Sequence, residues 1–405
     1  MREEPLAIVL AGGGARGAYQ AGVLRYIFGT LAAQVGQRLA PDLICGTSVG
    51  AINGAWLGGL LGRGDGPEEL TMGWQTMRLD RIYHFHALDL VRSPLQLLGA
   101  QLGEHRSLVD PTPSYRWIRQ QLPFGDLHAA LDSGRLGGLV VAATTLHTGR
   151  CTLFTDHPTL PQGVIPHHGE VCVIPTRIRA RHCLASAAMP FVFPPVTVRE
   201  EAYVDGGLRQ NTPLSPALSL GAERILVVGT ERKLADQVSD AASRDHEDLA
   251  LTHLVGKALN TMMLDPVERD LRHVALVNKI LAWGGQAGGE GWLDRVNALA
   301  EPSRHQPFRP VETLLIQPSE DLGQIAATTW RDTTIKASAA TRLLLEAVAV
   351  TDDPHDADLL SYLFFDCVYT ERLIDLGFRD APARREDLAA FLGLGDQDRR
   401  TPGGS

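Results

Sequence analysis

Short apolar runs recur along the chain, several of them ending at a glycine. Leu6 to Ala11 is one such run, and its length suits a buried strand of a parallel sheet. Similar strand patterns occur at Leu43–Cys45, Leu139–Leu146, Ala202–Val204, Arg224–Gly229 and Glu312–Gln317. Cys151 to Phe154 is expected to pair with 139–146 as a hairpin. Helical patterns separate these runs, as in an α/β protein.

Apolar residues at helical spacing fill much of the remaining chain. One helix is predicted from Gly17 to about Leu31, and a largely helical insertion separates the last two strands. Inside that insertion, 251–263 carries a Met-containing apolar stripe that favours core packing, and Gly284 to Gly291 is interpreted as a flexible link. Another long helix is predicted for 356–376, with Gly377 as its C′ residue.

These patterns divide the chain into four parts. We expect a core at 1–230, a helical insertion at 231–311, a last core strand with C-terminal helices at 312–395, and a disordered tail at 396–405. The total of 405 residues is long enough for one large domain or two ordinary ones.

Composition narrows the class of protein. The net charge is −9 without a Lys/Arg cluster, so nucleic acid is not an expected partner. The five cysteines are scattered and form no C-x-x-C pair, which favours a reducing compartment. Residues 1–5 include acids where a signal peptide needs bases, and no apolar stretch reaches membrane-spanning length. We expect a cytoplasmic protein, and contact with a membrane surface stays open.

The most informative stretch is Gly46-Thr47-Ser48-Val49-Gly50, which follows the second strand. It has the form of a nucleophile elbow, a sharp turn with serine at its tip before a helix. A side chain at Gly46 or Gly50 would collide with neighbouring backbone in so tight a turn. The helix beginning at Val49 points its N-terminus at Ser48, which favours a negative charge forming there. The alternative is a glycine-rich turn with an incidental serine.

A glycine-rich loop, Gly12-Gly13-Gly14-Ala15-Arg16-Gly17, follows the first strand and opens a helix. Such loops bind anions through backbone N–H groups. The spacing Gly12-x-Gly14-x-x-Gly17 also matches a dinucleotide-binding fingerprint. That fingerprint needs an acidic residue at the end of the second strand, whereas Asp42 precedes this strand. A nucleotide-binding oxidoreductase is therefore the weaker alternative.

A catalytic serine needs a base, and the sequence offers two kinds. Histidine is the usual base, and 14 histidines are available. The sequence around Asp205 is more specific than that around any of these histidines, since Asp205 ends a short strand and precedes Gly206 and Gly207. Two glycines there let another part of the backbone come close. The alternative is an ordinary Asp-Gly turn.

Taken together, the glycine loop, the elbow and Asp205-Gly206-Gly207 resemble the patatin-like phospholipase family, of the bacterial type. Two further blocks add to the resemblance: Ala185–Pro190 with Phe193-Pro194-Pro195, and Asn211-Thr212-Pro213. The resemblance covers roughly residues 6–230. It implies a three-layer α/β/α sandwich around a mostly parallel sheet, with 1–230 as the catalytic core and without a cofactor or metal.

The same resemblance implies site residues. Ser48 is the expected nucleophile and Asp205 the base, without a histidine. The expected oxyanion and substrate-binding residues are Gly12, Gly13, Gly14, Arg16 and Val49, supported by the motif glycines Gly17, Gly46, Gly50, Gly206 and Gly207. Two roles stay open for Arg16. It could pair with an acidic residue and so brace the loop, or it could attract a lipid phosphate.

The expected reaction is hydrolysis of a lipid carboxylic ester through an acyl-enzyme on Ser48. Phe191, Val192, Phe193 and Leu57 are candidates to line an acyl channel, although core packing explains them equally well. A non-catalytic lipid-binding or regulatory module on the same fold is the second alternative. The sequence does not specify the ester, the position cleaved or the oligomeric state.

Overall fold

The structure, a computed structural model, describes residues 4–82, 84–85, 109–157, 171–190, 192–233, 267–299, 307–333, 341–342, 345 and 358–394. In these ranges the strands are β1 (Leu6–Leu10), β2 (Leu43–Thr47), β3 (His84–Phe85), β4 (Val109–Asp110), β5 (Gly138–Thr145), β6 (Cys151–Asp156), β7 (Val171–Pro175), β8 (Val196–Val198), β9 (Glu201–Asp205), β10 (Arg224–Val228) and β11 (Glu312–Ile316).

One large sheet carries the strands that position the site. Its order is β11-β10-β1-β2-β5-β6-β7, and the strands from β11 to β5 are parallel neighbours. β6 and β9 run antiparallel to β5, so the hairpin predicted between 139–146 and 151–154 is confirmed. The chain order reverses direction around β1, and the carboxyl ends of strands at such a point form a crevice where ligands bind.

Two apolar cores lie on opposite faces of this sheet. Along β1, Leu6, Ile8 and Leu10 point into one core, whereas Ala7 and Val9 point into the other. Side chains alternate between faces because a strand has a period of two residues. Helices cover both faces, and the fold is therefore the expected three-layer α/β/α sandwich around a mostly parallel sheet.

The helix predicted from Gly17 to about Leu31 begins at Gly17 but is α-helical only to Arg25. The α-helices of the described residues lie between and after the strands in the chain. They are α1 (Gly17–Arg25), α2 (Ala32–Gln34), α3 (Val49–Arg63), α4 (Glu68–Gln75), α5 (Leu79–Ile82), α6 (Thr112–Gln121), α7 (Phe124–Asp132), α8 (Ala180–Ser186), α9 (Gly207–Gln210), α10 (Leu214–Ser219), α11 (Val267–Gly288), α12 (Trp292–Leu299), α13 (Leu322–Asp332), α14 (Asp358–Leu363), α15 (Cys367–Ala383) and α16 (Arg385–Phe391). A π-helical stretch, Tyr26–Leu31, joins α1 to α2.

The flexible link predicted from Gly284 to Gly291 is wrong over most of its length. α11 continues to Gly288, and α12 begins at Trp292. A Cβ atom on Gly284 or Gly288 would collide with the indole ring of Trp292. These glycines therefore allow two helices to pack around one large ring, and they do not loosen the chain.

The helix predicted for 356–376 is in fact two helices. α14 ends at Leu363, and α15 begins at Cys367. Three residues separate the two helices, and the last of them, Asp366, is the N-cap of α15. The carboxylate of Asp366 accepts a 3.0 Å hydrogen bond from the N–H of Val368, which satisfies one donor at the start of α15.

Gly377 lies inside α15 and does not terminate a helix. A Cβ atom there would collide with the carbonyl oxygen of Tyr19 in α1. Gly22 in α1 plays the reciprocal part, because a Cβ on it would collide with the carbonyl of Ile374 in α15. The two helices thus cross at glycines, and their backbones approach closely.

Two expectations concern residues outside the described part of the chain, namely the helix at 251–263 and the tail at 396–405. Among the described residues, no helix is both long enough and apolar enough to cross a membrane.

Candidate active site

Ser48 stands at the junction between β2 and α3 in a strained backbone conformation. Its φ of 53° and ψ of −124° are unusual for a residue with a side chain. A Cβ on Gly46 would collide with the carbonyl oxygen of Gly50, and a Cβ on Gly50 would collide with that of Leu10. The steric reason expected for both glycines is therefore confirmed, and the turn has the shape of a nucleophile elbow.

The hydroxyl of Ser48 donates a 2.7 Å hydrogen bond to Oδ2 of Asp205. The other carboxylate oxygen, Oδ1, accepts a 2.7 Å hydrogen bond from the N–H of Gly207. Asp205 is only 1% exposed. Burial raises the pKa of Asp205 to about 6, although the hydrogen bonds from Gly207 and Ser48 act in the opposite direction. This carboxylate is thus a stronger base than an aspartate in water.

The direct contact between Ser48 and Asp205 leaves no place for a histidine between them. The buried histidine nearest to this region in sequence, His182, is used elsewhere. Its Nδ1 accepts the N–H of Arg179 at 2.9 Å, its ring lies 4.9 Å from that of Phe154, and burial lowers its pKa to about 4. In the part of the chain that the structure describes, the serine and the aspartate meet as a pair.

Ser186, the last residue of α8, is a site residue that the sequence did not single out. It is fully buried, and its Oγ accepts a 2.8 Å hydrogen bond from the N–H of Ser48. The same hydroxyl donates to the carbonyl of Ala142 in β5, and the Ser186 carbonyl accepts the N–H of Gly206 at 3.1 Å. Its position in the Ala185–Pro190 block was the available signal.

The glycine loop lies beside Ser48 but offers fewer donors than expected. The N–H of Gly12 is already engaged, since it donates to the carbonyl of Asn211 at 3.0 Å. The N–H groups of Gly13, Gly14 and Val49 donate to no other described residue. Gly12 therefore does not fit the oxyanion role expected for it, whereas these other three amides keep their hydrogens for a ligand.

Other residues fix the shape of this loop. Gly14 has a φ of +55°, in the left-handed region that favours glycine. The hydroxyl of Thr230 donates to the Gly12 carbonyl at 2.6 Å. A Cβ on Gly17 would collide with the side chain of Val49, so the loop packs against the first residue of α3.

The side chain of Arg16 is held by other protein groups. The side chain is 1% exposed and pairs with the carboxylate of Glu231. Its Nε donates to the hydroxyl of Ser361 at 2.7 Å, and its guanidinium lies 4.1 Å from the ring centroid of Tyr362. Of the two roles considered for Arg16, bracing the loop matches this geometry, while attraction of a lipid phosphate does not.

An apolar cavity opens in front of Ser48. It encloses about 630 Å³ of empty space, part of it open to solvent. The lining is almost wholly apolar and comes from elements that are distant in sequence: Ile52, Trp74, Met77, Ile82, Trp117, Ile118, Leu184, Met189, Phe193, Leu363 and Phe365. Of the four candidates for an acyl channel, Phe193 lines the cavity, and Leu57 is buried in the core. Val192 packs half-buried against that core, and Phe191 lies outside the described residues.

The position of Asp42 argues against the dinucleotide-binding alternative. Its Oδ2 accepts the N–H of Leu6 at 2.9 Å, which places the carboxylate at the start of β1. The glycine loop follows the other end of that strand, so Asp42 cannot bind a ribose held there. Among the described residues, no group of His, Cys, Asp and Glu side chains is arranged to hold a metal ion.

Comparison with known proteins agrees with this geometry. Residues 8–218 match the model of the family described as patatin-like phospholipase, and that range is just over half of the chain. The chain belongs to the patatin-like phospholipase family. This family comprises lipid-hydrolysing enzymes, as the resemblance in the motifs implied. No curated protein matches the chain significantly.

Several solved structures are similar to this patatin-like protein at low identity. VipD from Legionella pneumophila is 12% identical with a TM-score of 0.31, over 92% of this chain and 67% of VipD. Human GIVD cytosolic phospholipase A2, bound to methyl gamma-linolenyl fluorophosphonate, is 13% identical with a TM-score of 0.38, over 96% and 60% of the respective chains. ExoU of Pseudomonas aeruginosa, in complex with SpcU, is 16% identical with a TM-score of 0.28, over 89% and 75%.

This patatin-like site also uses residues beyond the matched range. Glu231, Ser361 and Tyr362 hold Arg16, and Leu363 and Phe365 line the cavity. Phe365 stacks on Trp74 with ring centroids 6.1 Å apart. The C-terminal helices are therefore part of the wall of the site.

Proposed function

We propose that this protein is a serine acyl hydrolase that cleaves lipid carboxylic esters, of the phospholipase A or lysophospholipase kind, through a Ser48–Asp205 dyad. The observation that carries the proposal is the 2.7 Å hydrogen bond from the Ser48 hydroxyl to Oδ2 of a buried Asp205. A nucleophile within hydrogen-bond reach of a base whose pKa is raised is the arrangement that acyl transfer requires.

In the first step Asp205 takes the proton of Ser48, and Ser48 Oγ attacks the ester carbonyl carbon. The negative charge that develops on the carbonyl oxygen is accepted by the N–H groups of Gly13 and Gly14, with the start of α3 at Val49 beside them. Collapse of this intermediate breaks the bond to the alcohol, which leaves with the proton from Asp205. An acyl group then remains on Ser48.

In the second step water attacks the acyl-enzyme. Asp205 takes a proton from that water, the same amides bind the second oxyanion, and Ser48 leaves with the proton. The pKa near 6 supports both roles, because the carboxylate is ionised at neutral pH and is still basic enough to share in proton transfer.

The cavity supports a substrate with a hydrocarbon chain. Its lining, from Ile52 and Trp74 through Trp117 to Phe365, would bury an acyl chain next to Ser48 and exclude water from the reacting carbonyl. All five cysteines are free, which supports the cytoplasmic location expected from the sequence, with substrate met at a membrane surface. The position cleaved and the head group stay outside this proposal.

A fluorophosphonate with a long alkyl chain tests the nucleophile directly, since it phosphonylates an activated serine and stays attached. We expect intact-mass spectrometry to find one adduct on the wild-type protein, located by peptide mapping at Ser48, and none on Ser48→Ala. Ser114→Ala is the matched control, because Ser114 is a second serine that lines the same cavity and should not be the labelled one. Labelling that survives in Ser48→Ala would refute the proposed nucleophile.

A further inference from the structure

Ser186 occupies the place where the two halves of the proposed dyad meet. β2 and β5 pair in register up to Thr47 and Ala142. Beyond that pair the chain turns into the elbow at Ser48, and the strands part. The Ser186 hydroxyl fills the gap between them: it accepts the Ser48 N–H at 2.8 Å and donates to the Ala142 carbonyl. It is 0% exposed, so bulk solvent does not reach this hydroxyl.

The end of α8 also fixes the base. The Ser186 carbonyl accepts the N–H of Gly206 at 3.1 Å, and the carbonyl of Ala188 accepts the N–H of Asp205 at 2.9 Å. The backbone around Asp205 is thereby hydrogen-bonded to the same short segment that holds the backbone of Ser48. One residue, Ser186, contacts both sides.

From this geometry we infer that Ser186 is a positioning residue, which aims the Ser48 hydroxyl at Asp205 by holding the N–H of the strained elbow. The inference rests on the proposed hydrolase function. Ser48 has a backbone conformation that persists only where the surroundings determine it, and the hydroxyl of Ser186 is the partner of its N–H. With the Ser48 N–H occupied, the N–H of Val49 is the next amide of the elbow, and it donates to no other described residue.

Removing the hydroxyl would leave the Ser48 N–H and the Ala142 carbonyl buried without their partner. The elbow would relax, and the bond between Ser48 and Asp205 would lengthen. Because that bond lowers the pKa of Asp205, its weakening moves the pKa upward. A misplaced nucleophile therefore has two signatures, a slower chemical step and an altered pH dependence.

The test compares Ser186→Ala and Ser186→Cys with the wild type, using a soluble ester. Cysteine places a larger sulfur atom where the serine oxygen lies and hydrogen-bonds weakly, so Ser186→Cys leaves no cavity but still loses the hydrogen bonds. It therefore separates loss of packing from loss of the hydrogen bond. We expect both variants to lower kcat on the order of 10²-fold with little change in KM, the cost typical of a misplaced reacting group. The acid limb of kcat/KM should move to higher pH in both.

Thr329→Val is the matched control. Thr329 is also 0% exposed, and its hydroxyl donates to the carbonyl of Ile325 within α13, at 2.6 Å. It should lower thermal stability without moving the pH profile. Wild-type kcat and pH profile in Ser186→Ala would overturn the inference, as would a Ser186→Cys variant that behaves like the wild type. Either result leaves the Ser48 labelling intact, so it is distinguishable from failure of the proposed function.

Discussion

Gly14 and Tyr362 are in direct backbone contact, although they lie 348 positions apart in the chain. A Cβ atom on Gly14 would collide with the carbonyl oxygen of Tyr362. Tyr362 in turn donates a 2.8 Å hydrogen bond from its hydroxyl to Glu231, the partner of Arg16. The loop that carries the proposed oxyanion donors is therefore confined by a segment near the C-terminal end of the described residues.

Gly14→Ala should inactivate the protein. The substitution puts a side chain on a residue in the left-handed backbone region and against the Tyr362 carbonyl. The loop must therefore move, and its N–H groups no longer point at the carbonyl oxygen of the substrate. We expect kcat/KM to fall on the order of 10²-fold or more, the cost of losing one oxyanion donor. Gly36→Ala is the control, since Gly36 has a φ of +61° but no neighbour within 4 Å of the added Cβ. Equal effects of the two substitutions on kcat/KM would contradict this prediction.

Asp205→Asn should abolish turnover while preserving the fold. Asparagine has nearly the same shape and can accept the Gly207 N–H, but it cannot take the proton of Ser48. We expect a decrease in kcat on the order of 10⁴-fold, as when the acid of a serine hydrolase is replaced. Steady-state hydrolysis of a soluble ester measures it, with circular dichroism to verify folding. Undiminished turnover would remove Asp205 from the mechanism and favour the lipid-binding alternative.

The same substitution should stabilise the protein at neutral pH. The pKa of Asp205 is near 3.8 in an unfolded chain and about 6 in the fold. The folded state therefore holds this proton more tightly, so stability from Asp205 decreases as pH rises from about 4 to about 6. Above that window the ionised carboxylate costs roughly 3 kcal/mol.

Urea denaturation of wild type and Asp205→Asn measures this effect. The variant should be more stable near pH 8, and its advantage should shrink towards about pH 4, where the wild-type carboxyl is protonated. Asp294→Asn, at an exposed position in α12, is the control for removing one carboxylate from the protein surface. A variant that is less stable than the wild type at about pH 8 would show that burial does not dominate the pKa of Asp205.

The cavity predicts how acyl-chain length is selected. Ile118 lies on α6, is 2% exposed and lines the cavity. Ile118→Trp should shorten the space and lower kcat/KM for long-chain relative to short-chain esters by about tenfold, if two methylenes at about 0.8 kcal/mol each stay in water. Trp56→Phe is the control, because Trp56 contacts Trp117 edge-on behind the cavity wall. An unchanged chain-length ratio in Ile118→Trp would place the acyl chain elsewhere.

Local features of the site could be predicted because each follows from a few neighbouring residues. The spacing Gly46-x-Ser48-x-Gly50 is visible within five residues of sequence, and the clash that excludes a side chain at Gly46 is with Gly50 in the same five residues. Asp205 could be singled out for a similar reason, since two glycines follow it. The strand pattern gave most of the sheet, because buried parallel strands are short and apolar.

Contacts between distant segments could not be predicted. Nothing near Arg16 indicates that Glu231 and Ser361 hold it, and nothing near Gly12 indicates that Asn211 takes its N–H. Two glycine predictions were wrong for this reason, the flexible link at 284–291 and the helix end at Gly377. Gly377 looked like a helix end because single sequences do not reveal which partner helix a missing side chain admits.

The crossing of α1 and α15 at Gly22 and Gly377 bears on how this protein can be dissected. The family match ends at residue 218. The helix α1, which follows the glycine loop, nevertheless packs against α15, which begins some 150 positions after that boundary. A truncated protein that ends at residue 218 would expose to solvent the face of α1 that packs against α15. Minimal enzymes of this kind should accordingly be designed around the shared helix pair rather than around the boundary of the sequence match.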